Sequence, residues 1–291
     1  METEENAEKK MMENASKKRK GGARDEIQTT VPTHKNESKS LVLLQVNCRS
    51  IYKRALELWD LVDTYNPDII IGTESWLREQ IGNTEILRAD FTTFRRDRHA
   101  RSGGVFICVK NNIACSELWV DYEFEIIAVE IKGSDPKCTW EIVGIYRAPI
   151  EDKRVIENLA ARTDFLENSM NRSIIGGHLN LPQVDWKGIA EGTSVTEAFI
   201  NRFVWDNGYT QVVGKSTLGD SLLDVYLVRP ETALISCGTV QEISDHCGVL
   251  LDVEWAEKFC DSGETTSFRI PQNICVRAMK VSSRLITNMG K

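Results

Sequence analysis

Residues 172–186 read RSIIGGHLNLPQVDW: a short apolar run meets paired glycines, and then His178 and Asn180 face whatever lies beyond. Other apolar runs end in the same manner. Asn47 closes LVLLQVN, Glu74 closes IIIGTE, Tyr146 closes WEIVGIY, Asp224 sits in SLLDVYLV, and Ser244-Asp245-His246 leads into CGVLLDVEW. Together these residue types suit one chemistry. Glu74 and Asp245 offer the oxygens that a hard divalent cation takes. A histidine beside a carboxylate, His246 beside Asp224, is held in one tautomer and carries charge when a phosphate arrives. The amides of Asn47 and Asn180 and the phenol of Tyr146 can hold phosphate oxygens. Taken singly each has a plainer reading: an asparagine at a strand end shapes a turn, Glu74 ahead of SWL caps a helix, and Tyr146 is core with a wet hydroxyl.

Such residues converge only if the apolar runs are buried strands whose ends gather at one sheet edge, as in layered α/β folds. The pattern supports this. Strands are expected at Leu41–Asn47, Ile69–Glu74, Gly104–Val109, Glu125–Ile131, Trp140–Tyr146, Ser173–Gly177, Leu222–Val228 and Cys247–Trp255. IYKRALELWDLVDTY places Ile51, Ala55, Leu58, Val62 and Tyr65 on one helical face, and the Asn-Pro-Asp that follows breaks it. Further helices are expected around Arg154–Asn168 and Val195–Asp206. Strands outnumber helices and alternate with them irregularly, which implies an α/β layered protein with some antiparallel strand neighbours.

The chain has 291 residues, 41% hydrophobic, and no apolar run approaches the ~18 residues of a membrane span. Its N-terminus has no apolar core of a secretory signal. Residues 1–40 lack aromatics and read as a charged disordered arm, 41–255 as the folded domain, and 256–291 as a basic tail or linker. Within the arm, Lys17-Lys18-Arg19-Lys20 fits a nuclear-import signal, so a nuclear location is expected, and a cytoplasmic one otherwise. Eight cysteines without a CxxC pair read as reduced thiols rather than a disulfide framework or zinc site. Net charge is −7, which argues against purely electrostatic nucleic-acid binding but allows a local basic loop and an acidic cation pocket. Arg95, Arg96, Arg98 and Arg101, in RRDRHAR, supply that loop. Trp76, Trp186 and Trp205 read as core or interface fillers.

In chain order, QVN, GTESWL, FRRDRHARSGGV, VGIYRAP, GGHLNLP, SLLDVYLV and SDHCGV resemble the motifs of the endonuclease/exonuclease/phosphatase family, in particular the apurinic-type endonuclease domain of non-LTR (long interspersed) retrotransposons. The resemblance covers about Leu41 to Trp255. It implies a four-layer α/β sandwich, two mixed β-sheets packed face to face with helices outside, and a site at one rim. It also implies that Glu74 holds Mg²⁺ (or Mn²⁺) with Asn47 and Asp245 helping, and that Tyr146, Asn180 and His246 contact a scissile phosphate while Asp224 orients His246. The four arginines would contact DNA backbone. The implied reaction is attack of water on a DNA phosphodiester, leaving a 3′-hydroxyl; the implied partners are DNA and a reverse-transcriptase domain outside this chain.

One position departs from the resemblance. The family motif reads Gly-Asp-Phe-Asn, and here it is Gly177-His178-Leu179-Asn180. The aspartate helps position or deprotonate the attacking water, and losing such a base costs on the order of 10²–10⁴ in rate. Histidine, with an ordinary pKa of about 6.5, accepts a proton near neutrality but repels a cation once charged. The expectation is a strongly weakened or inactive nuclease. Two other readings stay open: an active endonuclease, and a phosphatase branch of the same superfamily.

Overall fold

A computed structural model describes residues 40–98, 102–133, 139–149, 153–166, 172–186, 195–230 and 233–255. The charged arm with its Lys/Arg run, the tail 256–291 and Arg101 lie outside the described residues. In chain order the elements are β1 (Ser40–Asn47), α1 (Ile51–Tyr65), β2 (Ile69–Thr73), α2 (Asn83–Ile86), β3 (Phe91–Arg96), β4 (Val105–Lys110), β5 (Cys115–Val120), β6 (Glu125–Lys132), β7 (Thr139–Tyr146), α3 (Arg154–Leu166), β8 (Ser173–His178), α4 (Val195–Asp206), β9 (Thr210–Gln211), β10 (Asp224–Arg229), β11 (Leu234–Glu242) and β12 (Cys247–Glu254).

The strands form two mixed six-stranded sheets, ordered β11-β12-β1-β2-β4-β3 and β5-β6-β7-β8-β10-β9. Both sheets join a parallel pair, β1 with β2 and β7 with β8, to antiparallel neighbours. Three apolar layers hold the molecule together. Leu41, Ile69, Val105, Ile127, Trp140, Ile174, Tyr226 and Leu251 fill the space between the sheets. On the outer face of the first sheet, Leu44, Ile70 and Phe106 pack against Ile51, Leu58, Leu61 and Val62 of α1. On the outer face of the second, Val143, Ile175 and Leu227 meet Val155, Ile156 and Leu159 of α3 and Ile200 and Phe203 of α4. This is the expected four-layer sandwich, with helices outside.

Strand alternation then decides where the polar residues point. Successive side chains of a strand face opposite sides. On β1, Leu41 and Leu43 face the inter-sheet core, so Gln45 and Asn47 do too. The same parity turns Tyr146, His178 and Asp224 into the gap between the sheets, each at the last or first residue of its strand. The register sets them side by side: Tyr146 opposite His178, and His178 opposite Asp224.

All eight strands read from the sequence are present, and α4 has the expected bounds. The strands not foreseen are β3, β5, β9 and β11, the four edges of the two sheets. Edge strands are covered less completely, and β11 and β5 are half-exposed along most of their length, so no continuous apolar run marks them. On α1 the buried residues are Ile51, Leu58, Leu61 and Val62; Ala55 and Tyr65, expected on that face, are only half-covered because the stripe drifts toward Leu61. Of the two roles expected for Trp205, core is excluded: it is 64% exposed at the end of α4. The five described cysteines are free thiols.

Backbone proximity at β7 and β8 forces glycine at the paired positions of the GGH motif. A Cβ on Gly177 would run into the carbonyl oxygen of Ile145, its register partner on β7. One on Gly176 would sit 2.6 Å from the Tyr226 ring and 2.7 Å from Ile71 Cδ1. Gly177→Ala is therefore expected to lower unfolding free energy by about 1–3 kcal/mol, the cost of overfilling a packed core, as read by urea denaturation; an unchanged midpoint would contradict this packing.

Candidate active site

The rim where these strands end is built from short turns with unusual backbone. Among the described residues six non-glycines have positive φ, and five of them lie here: Arg49 (39°), Ser50 (83°), Glu74 (48°), Trp76 (55°) and Asn180 (51°). The sixth, Asn66, is the left-handed cap that ends α1. Strained residues persist only where surrounding bonds over-determine them, and they gather at functional sites. Here the bonds are Ser50 N to Glu74 O (2.9 Å), Ile51 N to Ser75 O (3.1 Å) and Trp76 N to Gly103 O (3.0 Å).

At the centre stands Asp224, with His178 on one side and His246 on the other. His178 Nδ1 lies 3.1 Å from Asp224 Oδ1, and His246 Nδ1 lies 2.6 Å from Oδ2. The three residues are 2%, 1% and 4% exposed for His178, Asp224 and His246. Thr217 completes the shell: its hydroxyl donates to Asp224 Oδ2 (2.7 Å) and accepts from the backbone N–H groups of Asp224 and Leu223. Burial alone would push the Asp224 carboxyl up; the bonds and charges of the two imidazoles reverse this and hold it well below the usual carboxylate range. With Asp224 ionised, both Nδ1 atoms donate. The rings also touch each other, edge to face at 4.9 Å, and Tyr146 stacks on His178 at 5.8 Å.

His178 therefore sits in a different environment from the open base anticipated at this position. Burial disfavours its charged form, yet the hydrogen bond and charge of Asp224, the Asn180 side chain and the more distant charge of Glu74 outweigh burial and raise its pKa above 6.5. Asn180 is fixed by donating to Arg147 O (2.7 Å), while buried Arg147 donates back to the carbonyls of Leu179 and Asn180. His178 thus holds its proton more tightly than an ordinary histidine.

Glu74 has the features of a cation ligand. Asn47 Nδ2 donates to its Oε1 (3.0 Å), and its Oε2 has no hydrogen-bond partner among the described residues. Asn47, buried, also accepts Arg49 N at its Oδ1, so in this arrangement it orients Glu74 rather than facing a cation itself. Asp245 forms an ion pair with Arg49, both about half-exposed. Ser244 donates to Asn47 O (2.8 Å) and accepts from His246 N, tying the SDH turn to the end of β1. Among the described residues, one cluster of three imidazole or carboxylate groups has its ligand atoms within 4.8 Å of one another, and it is His178, Asp224 and His246; neither Glu74 nor Asp245 joins a cluster of three.

The basic loop needs correction. Arg95 and Arg96 belong to β3, not to a loop. Every N–H of the Arg95 guanidinium is engaged, with Asp97, Asn83 and the carbonyls of Ile81 and Arg78. Arg96 donates to the carbonyls of Asp97, Asp121 and Tyr122. Both staple neighbouring turns to the edge of the sheet. Arg98, about one-third exposed, lies 3.6 Å from Glu125, a buried acid opposite Tyr146 that also accepts Gly104 N. Residues the sequence did not single out include Arg49, Thr217, Arg147 and Glu125. Thr217 lies in KSTLGDSLLD, which reads as an ordinary turn, and nothing in it signals a carboxylate partner.

No family model and no curated protein matches the sequence. Solved structures do match the fold. The endonuclease domain of TRAS1, a telomere-specific non-LTR retrotransposon, is 16% identical with a TM-score of 0.57, over 75% of this chain and 99% of that one. The AP endonuclease LMAP from Leishmania major is 13% identical with a TM-score of 0.59, over 76% and 89%. The 3′-5′ exonuclease NExo from Neisseria meningitidis is 16% identical with a TM-score of 0.55, over 74% and 100%. This chain has the fold of the endonuclease/exonuclease/phosphatase proteins.

The electrostatics of the centre can be read directly. By NMR titration the His178 ring is expected to titrate above pH 6.5, and in Asp224→Asn to titrate lower than in the unmodified chain, since the strongest influence opposing burial is then gone. A raised folded pKa contributes stability that is fully present below pH 6.5 and is lost as pH rises through the folded value. The unfolding free energy of the unmodified chain should therefore decline over that interval more than that of His178→Asn. Equal slopes would contradict the pairing.

Proposed function

We propose that the chain is a divalent-cation-dependent phosphodiester hydrolase acting on DNA, weakened at the step that activates water. The observation that carries the reading is the Asp224–His246 pair at 2.6 Å, set in the same rim as Glu74. Asp224 fixes His246 through Nδ1, which leaves Nε2 as the atom to meet a phosphate oxygen. Tyr146, at the end of β7 and stacked on His178, and Asn180, two residues past β8, would position the phosphate. Glu74, steered by Asn47, fits a hard cation by its oxygen donors and by the free Oε2; Mg²⁺ is the ion we assign to it, with Asp245 available once released from Arg49. Bound there, Mg²⁺ supplies Lewis-acid stabilisation of the charge that develops on the phosphate.

The weakness lies in His178. Its Nδ1 is committed to Asp224 and its ring is buried, so it is a poor acceptor for the proton of an attacking water. It also draws on the same carboxylate that orients His246. Both effects slow hydrolysis without dismantling the rest of the rim.

Nicking of supercoiled plasmid, with Mg²⁺ or with EDTA, tests this. His178→Asp is expected to nick about 10²–10⁴ times faster than the unmodified chain. His246→Ala and Glu74→Gln are expected to abolish nicking in the His178→Asp background, and EDTA to stop it. Any activity of the unmodified chain should rise with pH at a midpoint above the 6.5 of an ordinary histidine. Should no variant nick DNA while one releases phosphate from a small ester, the phosphatase reading replaces this one.

A further inference from the structure

The histidine at position 178 does more than remove a base. It turns a carboxylate-lined corner into one with two imidazoles and one carboxylate, a donor set that borderline metals prefer. Imidazole nitrogen suits Zn²⁺, Cu²⁺ and Ni²⁺, whereas Mg²⁺ takes oxygen ligands and keeps its waters. Three protein ligands with one open position is also the usual composition of a reactive zinc centre.

We propose that His178, Asp224 and His246 form a binding site for Zn²⁺, separate from the oxygen-donor position at Glu74. The geometry lies close to what such an ion requires. Zinc bonds of roughly 2.0–2.2 Å in a tetrahedral shell place two ligand atoms about 3.3–3.6 Å apart. His178 Nδ1 stands 3.1 Å from one Asp224 oxygen and His246 Nδ1 2.6 Å from the other, and one ligand atom from each of the three residues lies within 4.8 Å of the rest, so the widest pair has to close by roughly 1.5 Å at most. Outer contacts that orient metal ligands are in place: Thr217 on Asp224 Oδ2, and the Asn180 side chain on the His178 ring. On binding, each Nδ1 exchanges its proton for a bond to the metal, and that proton moves to Nε2 or to solvent. The carboxylate keeps both neighbours, now bridged by the cation instead of by hydrogen.

The consequence for catalysis rests on the hydrolase reading above. A zinc-bound His246 is no longer oriented by Asp224 through Nδ1, so zinc should inhibit the Mg²⁺-supported reaction rather than substitute for it. Binding itself stands apart from that reading.

Isothermal titration of the full chain with Zn²⁺, in the presence of millimolar Mg²⁺, decides the matter. The expected result is one site whose affinity falls by at least about tenfold in His178→Asn and is unchanged in Glu74→Gln. Equal affinity in His178→Asn, or no uptake by the unmodified chain, would overturn the proposal and leave a network held by protons alone. X-ray absorption of the zinc-loaded unmodified chain gives a second readout that does not depend on a variant folding: two imidazoles and no sulfur support the site, while a cysteine sulfur in the shell overturns it. Failure of His178→Asp to nick DNA would sink the hydrolase reading while leaving these metal results standing.

Discussion

A single buried carboxylate organises this rim. Asp224 opens β10, and nothing about a fully covered aspartate is stable unless its charge is compensated. Three donors do so: the Nδ1 groups of His178 and His246 and the hydroxyl of Thr217, which the backbone N–H groups of Leu223 and Asp224 hold in place. The anion in turn holds two imidazoles at fixed orientation. Remove it and each ring is a buried polar group without a partner for its Nδ1. The carboxylate that aims His246 thus also captures His178.

The frame for this centre is simple. Two twisted sheets share an apolar layer, and period-two alternation carries Asn47, Tyr146, His178 and Asp224 to the inter-sheet face at strand ends. Gly176 and Gly177 let β8 approach Tyr226, Ile71 and the β7 backbone closely enough to set His178 against Tyr146 and Asp224. Left-handed backbone at Arg49, Ser50, Glu74 and Asn180 then bends the chain inward where each strand stops.

Much of this was legible in the sequence, for physical reasons. A strand covered on both faces has to be apolar along its length, so all eight inner strands announce themselves, and their terminal polar residues stand out against them. Edge strands such as Leu234–Glu242 carry serine, threonine and glutamate on half-exposed faces and resemble loops. The Asp224–His246 pair followed from residue types and order. The second histidine's pairing with the same carboxylate did not, because the choice of partner depends on register across β8 and β10. The setting of the arginines was hidden for a related reason: composition shows charge, not what the charge is bonded to, and Arg95 is fully engaged within its own turn network.

The claim that one carboxylate couples both histidines has a direct test in a double-mutant cycle on stability. His178→Asn, His246→Asn and the double variant are compared by urea unfolding at pH 6. Groups joined through Asp224 should give a double-variant effect that departs from the sum of the singles by about 0.5–3 kcal/mol, as residues in one hydrogen-bond network do. Additivity within about 0.3 kcal/mol would mean that the two rings act independently, and the account of this rim would be wrong.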